Sequence, residues 1–347
     1  MRVGVLSILL FAVVAFLSLE VEVAKAYLHG KTRALIDYAN KHGPYLGIVI
    51  PNLYEMDPLI KHPSYKASNL VIDFQGRRFR FGTVDNRKAI LVMTGLGVIN
   101  AGITTQLLLA LFDVNSVVHY GIAGNANSSL SVGDVTIAQY WAHTGLWNWQ
   151  RYGAGPEDKL ALEENGDYTR TIGFIKFAEY TKLSGGCKSA DNYLNNVWYQ
   201  PEEVFPIDGT PEDRQHAFWV PIDPHYYKLS KKLLGLKLDG CINTTTCLKR
   251  TPKVALVKRG VSSSTYLDNA AYRSFIFDKF GPTPVDMESA SVALICLQQR
   301  KPFVIIRSLS DLAGGGSAES NEADTFSILA ANNSVKVVVE FIKSLPK

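Results

Sequence analysis

Two carboxylates, Asp286 and Glu288, flank Met287 in the stretch VDMES and run directly into the apolar residues Ala290, Val292, Ala293, Leu294 and Ile295. Carboxylates at the edge of a core cost several kcal/mol unless something pairs with them. They either meet the hydroxyls or the developing positive charge of a ligand, or do the plainer work of opening a helix at the positive end of its dipole. A third acid, Asp311, follows Ser310 at the end of the apolar run IIRSLSD and precedes the glycines of LAGGG. Ligands of an open α/β sheet bind beyond the carboxyl ends of its strands, which places Asp311 to face one; its plainer role is a helix N-cap.

Two glycine turns follow strand-like runs. In ILVMTGLGVINAG, Gly95 and Gly97 precede a helical pattern, with Thr94 before them, Gly102 within it and Asp113 after it. This suggests a dinucleotide fingerprint, but the third glycine is displaced and an earlier strand precedes the unit. The same backbone N–H groups suit a smaller anion or a hydroxyl cluster. In HYGIAGN, Gly121 and Gly124 let the backbone approach a flat ligand closely. The tetrapeptide His29-Gly30-Lys31-Thr32 ends like a phosphate loop but lacks its first glycine, and no strand can precede it once a leader is removed.

The elements that must carry these residues read as α/β. Apolar runs at 46–50, 89–93, 116–120, 254–257 and 303–306 are continuous rather than alternating, which marks strands covered on both faces. Helical patterns lie at 100–112, 271–280 and 287–299, and 323–344 forms one or two closing helices. The pattern predicts a single three-layer domain over 27–347, with a mixed, mostly parallel central sheet flanked by helices. Between 150 and 250 the periodicity fails amid Trp, Tyr, Pro and Gly, and the stretch reads as a large irregular insertion in that one fold.

Composition narrows the classes. The 347 residues are 47% hydrophobic and carry a net charge of +4 without any block of like charge, so no nucleic-acid partner is expected. Arg2 precedes an apolar run from Val3 to Leu19, and Ala24-Lys25-Ala26 has signal-peptidase spacing. Residues 1–26 are expected to be a signal peptide cleaved before Tyr27, the alternative being an uncleaved anchor; no later segment is expected to span a bilayer. Sequons at Asn127, Asn243 and Asn332 are candidate glycosylation sites in that compartment. Cys241 and Cys247 are expected to pair with each other or with Cys187, and Cys296 to be a buried free thiol. Neither C-x-x-C nor H-E-x-x-H occurs, so no metal is expected.

Taken in order, G-L-G at 95–97, G-I-A-G at 121–124, V-D-M-E-S at 285–289 and S-D at 310–311 resemble the nucleoside phosphorylase and nucleosidase superfamily across most of the mature chain outside 150–250. The leader and the insertion containing EEVFPIDGTPEDRQHAFWVP are similar to those of its plant bark storage and wound-inducible vegetative storage branch. The resemblance implies that Met287 supports a ribose and Glu288 takes its hydroxyls, with Asp286 as the helix-start acid. It implies that Asp311 is the general acid toward a purine N7, oriented by Ser310, and that Tyr266 stacks on the base beside Gly124. Glu55 falls where nucleosidases of this type carry the glutamate that activates water, which favours hydrolysis. Phosphorylases carry an arginine where this chain has Met93, leaving Thr94, the Gly95 and Gly97 amides and an arginine from elsewhere for phosphate.

The expected substrate is a purine or cytokinin riboside, cleaved to base plus ribose or ribose 1-phosphate, with no cofactor other than phosphate as a co-substrate. The leader implies the secretory pathway, vacuolar or extracellular, and the resemblance implies a homo-oligomer. The competing expectation is a nitrogen store with weak or no activity.

Overall fold

The computed structural model describes residues 30–151, 157–160, 172–176, 196–213, 215–315 and 322–346. The leader and Cys187 lie outside them. The principal sheet has ten strands: β1 (Tyr45–Ile50), β2 (Tyr65–Phe74), β3 (Arg77–Val84), β4 (Arg87–Met93), β5 (Val114–Asn125), β6 (Val135–His143), β7 (Val220–Pro221), β8 (Val254–Ser262), β9 (Pro284–Asp286) and β10 (Phe303–Leu312). Their order is β7-β6-β8-β9-β5-β1-β4-β3-β2, and β10 pairs with both β5 and β6. The central pairs β1/β4, β1/β5, β5/β10 and β6/β8 are parallel, whereas β2/β3, β3/β4, β5/β9, β6/β10 and β6/β7 are antiparallel. The sheet is mixed with a parallel centre, as the continuous apolar runs predict, and every residue of β1 is buried.

Seven helices are described: α1 (Lys31–Lys41), α2 (Leu53–Ile60), α3 (Val98–Leu111), α4 (Pro224–Ser230), α5 (Ala270–Phe280), α6 (Ser289–Gln298) and α7 (Glu322–Ser344). Helix α7 lies against β5 and β10 with α2 beside it, and α3 packs on α6, which in turn meets β6 and β8. The closing segment is a single helix. Contrary to expectation, its stretch Thr325–Ser344 is long and apolar enough to cross a bilayer. Its Leu329, Val335, Val338 and Phe341 are instead core residues of the sheet's cover.

The β2–β3 hairpin escapes the sequence reading. Its turn residues Gln75 and Gly76 have φ of 48° and 73°, and Asp85 and Asn86, which join β3 to β4, have φ of 48° and 62°. Two successive positive-φ residues form the turn whose twist suits a tight hairpin. Within 150–250 the described pieces are short: Asn196–Tyr199 and Phe174–Lys176 join Trp147–Trp149 in one small sheet, Glu202–Val204 pairs with Gln215–Ala217, and β7 and α4 follow. Tyr199 packs in a second apolar cluster with Val261, Ile276, Phe280 and Val285. Cys241 and Cys247 form a disulfide, and Cys296 is buried and unbonded.

Candidate active site

The carboxyl ends of β1, β5, β8 and β10 and the starts of α2 and α6 meet around a cavity of 220 Å³. Its lining includes Glu55, Gly124, Tyr266, Asp286, Met287, Glu288, Ser310 and Asp311, so eight residues singled out from sequence come together.

Glu55 enters through the first turn of α2. The Asn52 side chain caps that helix by accepting from the Glu55 N–H at 3.1 Å, which fixes where the glutamate projects. The Glu55 side chain is buried, and its Oε1 accepts the Ile122 N–H at 2.7 Å. Its Oε2 is buried without a partner. Burial pushes the carboxyl up to about 7, against the opposing pull of Arg307 and the Ile122 N–H; Glu288 and Asp286 add to the rise.

Glu288 stands at the start of α6, buried as well. Its Oε1 accepts the Gly97 N–H at 3.0 Å and its Oε2 meets Arg307 Nη2 at 3.4 Å. Burial raises its pKa, Arg307 opposes the rise, and Asp286 reinforces it. Asp286 behaves as the helix-start acid: Oδ1 accepts the N–H groups of Glu288 at 3.2 Å and Ser289 at 3.1 Å. It also accepts from the hydroxyls of Ser262 and Ser289 and pairs with Arg307 Nε at 2.6 Å.

Arg307 was not among the residues expected in the site, and it is the group on which the others converge. It is fully buried in β10. Nε donates to Ser289 Oγ at 2.9 Å, Nη1 to the Ile122 carbonyl at 3.2 Å, and Nη2 to His119 Nε2 at 2.5 Å, while Nη1 stands 4.0 Å from Glu55 Oε1. The signal was present in IIRSLSD, since a buried cation in an apolar strand requires acids around it. Gly121 makes the arrangement possible. A Cβ there would lie 2.4 Å from both Arg307 Nη1 and Glu55 Oε1.

At the other side of the constellation, Ser310 Oγ donates to Asp311 Oδ1 at 2.6 Å, with the Ala123 carbonyl at 3.2 Å as its second acceptor. Burial raises the Asp311 pKa, Asp268 adds to the rise, and the Ser310 hydroxyl opposes it. Such a carboxyl keeps a proton to higher pH than an exposed aspartate. Val261, Leu267, Tyr272, Ile276 and Val285 give this part of the cavity an apolar wall.

The glycine turn departs from expectation. The Gly95 N–H is donated to the Pro51 carbonyl at 2.8 Å and the Gly97 N–H to Glu288, so both amides expected for an anion already have protein acceptors. Thr94 is buried and donates its hydroxyl to the Gly95 carbonyl at 2.6 Å. Thr94 and Gly95 line a different cavity of 510 Å³, together with Arg77, Arg78, Arg80 and Asp73. Among the sequons, Asn243 and Asn332 are exposed and Asn127 is half-buried. Among the described residues, no group of three or more His, Cys, Asp or Glu could hold a metal ion.

Comparison with known proteins gives a consistent picture. The profile of the phosphorylase superfamily matches residues 45–343. Bark storage protein A of Populus deltoides is 32% identical over 277 residues, covering 79% of this chain and 80% of that protein. A 5'-methylthioadenosine/S-adenosylhomocysteine nucleosidase of Halalkalibacterium halodurans is 26% identical over 268 residues, 77% of this chain and 85% of that one. Futalosine hydrolase of Helicobacter pylori superposes with a TM-score of 0.57 at 18% identity, over 88% of this chain and all of that one, and so shares the fold.

Proposed function

Because this chain belongs to the phosphorylase superfamily, we propose that it cleaves the N-glycosidic bond of a purine-type nucleoside by hydrolysis. The observation that carries the reading is the Glu55 carboxylate, buried with one oxygen unpartnered and lining the same cavity as Met287, Glu288 and Asp311. Water held at Glu55 attacks C1' as the C1'–N9 bond breaks. Glu55 takes the water's proton, and Asp311 gives its proton to N7, so the base leaves neutral. Positive charge builds on the ribose in the transition state, and Glu288, beneath the ring with Met287, stabilises it more there than in the ground state. Ser310 sets the orientation of Asp311, and Tyr266 stacks on the base near Gly124.

Water is favoured over phosphate because the Gly95 and Gly97 amides are engaged by the protein itself, and the arginines beside Thr94, Arg77, Arg78 and Arg80, line the other cavity rather than that of Glu55. The apolar wall of Val261, Leu267, Ile276 and Val285 favours a base carrying an apolar substituent, such as a cytokinin riboside, alongside plain purine ribosides. Leu96, which lines the cavity, and Ile99 and Ile103 of α3 are exposed by 65%, 74% and 50% and support a homo-oligomer. Cleavage of the leader before Tyr27 would deliver the protein to the vacuole or the outside, glycosylated at Asn127, Asn243 or Asn332. No cofactor takes part.

A second reading rests on the bark storage relative: the fold serves as a nitrogen reserve and its activity is weak or lost. The deciding experiment is base release from adenosine, inosine and isopentenyladenine riboside, with and without phosphate, beside Asp311→Asn. Phosphate-independent release that drops about 100-fold in the variant supports the hydrolase. Release only with phosphate overturns the role of Glu55, and no release from any riboside leaves the storage reading.

A further inference from the structure

His119 is fully buried in the middle of β5 and takes no part in the reaction above. In register it lies opposite Val49 of β1 on one side and Ile305 of β10 on the other. Its Nδ1 is 2.8 Å from the Val49 carbonyl, and its Nε2 receives Arg307 Nη2 at 2.5 Å. A carbonyl can only accept, so Nδ1 carries the ring proton; Nε2 is then a bare acceptor, as a guanidinium donor requires. A ring used merely to fill the core would need neither contact, since a leucine fills such space without a hydrogen-bonding obligation.

We infer that His119 is a positioning residue that acts through Arg307: anchored on the β1 backbone, it holds the guanidinium in the orientation that pairs with Asp286 and Glu288 while keeping it 4.0 Å from Glu55. The inference rests on the hydrolytic reading for its consequence, though not for its geometry. Of the contacts of Nη2, that to His119 is 2.5 Å and that to Glu288 is 3.4 Å. With the imidazole gone, Nη2 loses its shorter partner. Glu55, 4.0 Å from the neighbouring Nη1, still has Oε2 without a donor. The guanidinium then turns toward Glu55 and forms a close ion pair, which engages the lone pairs needed for water and weakens the base. His119 thus prevents a salt bridge that would be stronger and useless.

Two substitutions separate this role from packing. Leucine at 119 keeps the bulk and removes the acceptor, whereas glutamine places a carbonyl oxygen near the former Nε2. For His119→Leu the expected result is a fall in kcat for base release of about 10-fold or more with KM within about 3-fold, and a rising pH limb moved to lower pH. His119→Gln restores most of the kcat and the position of the limb. Equal kinetics in both variants, or unchanged kcat in the leucine variant after correction for folded fraction, overturns the inference.

Carboxyl 13C titration of glutamate-labelled protein, with the Glu55 signal assigned through Glu55→Gln, gives a readout independent of turnover. The Glu55 midpoint should fall by about one pH unit in His119→Leu and return in His119→Gln. An unmoved midpoint sinks the inference even if the enzyme is active. A moved midpoint in a protein that releases no base sustains it while removing the hydrolase reading.

Discussion

Around Glu55 the charged groups are buried and come from strands or the first turns of helices, whereas around Tyr266 the side chains come from the segment joining β8 to α5 and from α5 itself. Glu55, Glu288 and Arg307 are almost inaccessible; Tyr266 is 69% exposed. The difference separates two tasks. Groups that must act on one bond are locked by backbone donors and by one another, which costs desolvation but fixes geometry to tenths of an ångström. Groups that choose a base sit where a substitution alters shape without unbalancing buried charge.

Arg307→Met tests the locked region most severely. It leaves Asp286, Glu288 and Glu55 without their shared cation, and denaturant unfolding is expected to show a loss of about 3–5 kcal/mol. A loss below about 1 kcal/mol would mean that the acids are balanced by something other than Arg307.

Glu55→Gln is expected to slow base release by about 100-fold or more. It should also change the response of stability to pH. The carboxyl sits higher in the fold, about 7, than its ordinary value, so the native state holds the extra proton between the two. The contribution of Glu55 to stability is therefore present at low pH and lost as pH rises through about 7. Thermal melts should show Glu55→Gln gaining on the unsubstituted protein from pH 5 to pH 8, by on the order of 3 kcal/mol at most. The rate of the unsubstituted protein should rise across the same interval as Glu55 ionises; a flat profile there would remove it as the base.

Gly121→Ala asks whether the locked region has any slack. The added Cβ must displace Arg307 or Glu55, and a destabilisation of about 1–3 kcal/mol is expected, with a matching fall in kcat. Tyr266→Ala should do the least. Unfolding should move by no more than about 0.5 kcal/mol, while KM for a purine riboside rises several-fold, in line with the loss of one stacking contact worth about 1 kcal/mol. A fall in kcat as large as that from Glu55→Gln would erase the distinction between the two regions.

The central strands and the acid-bearing turns were legible because continuous apolar runs and glycine turns are local signals. Asp311, Glu288 and Met287 were placed by motif, and they line one cavity. Arg307 and His119 escape the sequence reading, because their significance lies in partners 18 to 188 residues away: the parallel pairing of β5 with β10 brings these two together, and the start of α6 brings Ser289. The β2–β3 hairpin was missed for another reason. Its strand β2 is mostly exposed and its apolar run, Leu70 to Ile72, is three residues long and flanked by polar residues, which leaves the turn residues Gln75 and Gly76 as its other signature. The glycine turn at 95–97 was recognised as a place for an anion, but sequence gives no means of seeing that a side chain 191 residues away would reach it.

That contact has a further consequence. Glu288 is a ligand covalently tethered to its own receptor. Its effective concentration at the Gly97 amide is set by the fold, and a dissolved anion competes with a resident one rather than with water. The site is in that sense born occupied. Vacating it requires turning the Glu288 side chain away, and with it one of the carboxylates that pair with Arg307, so occupancy of the turn and balance of the buried charge cluster are linked.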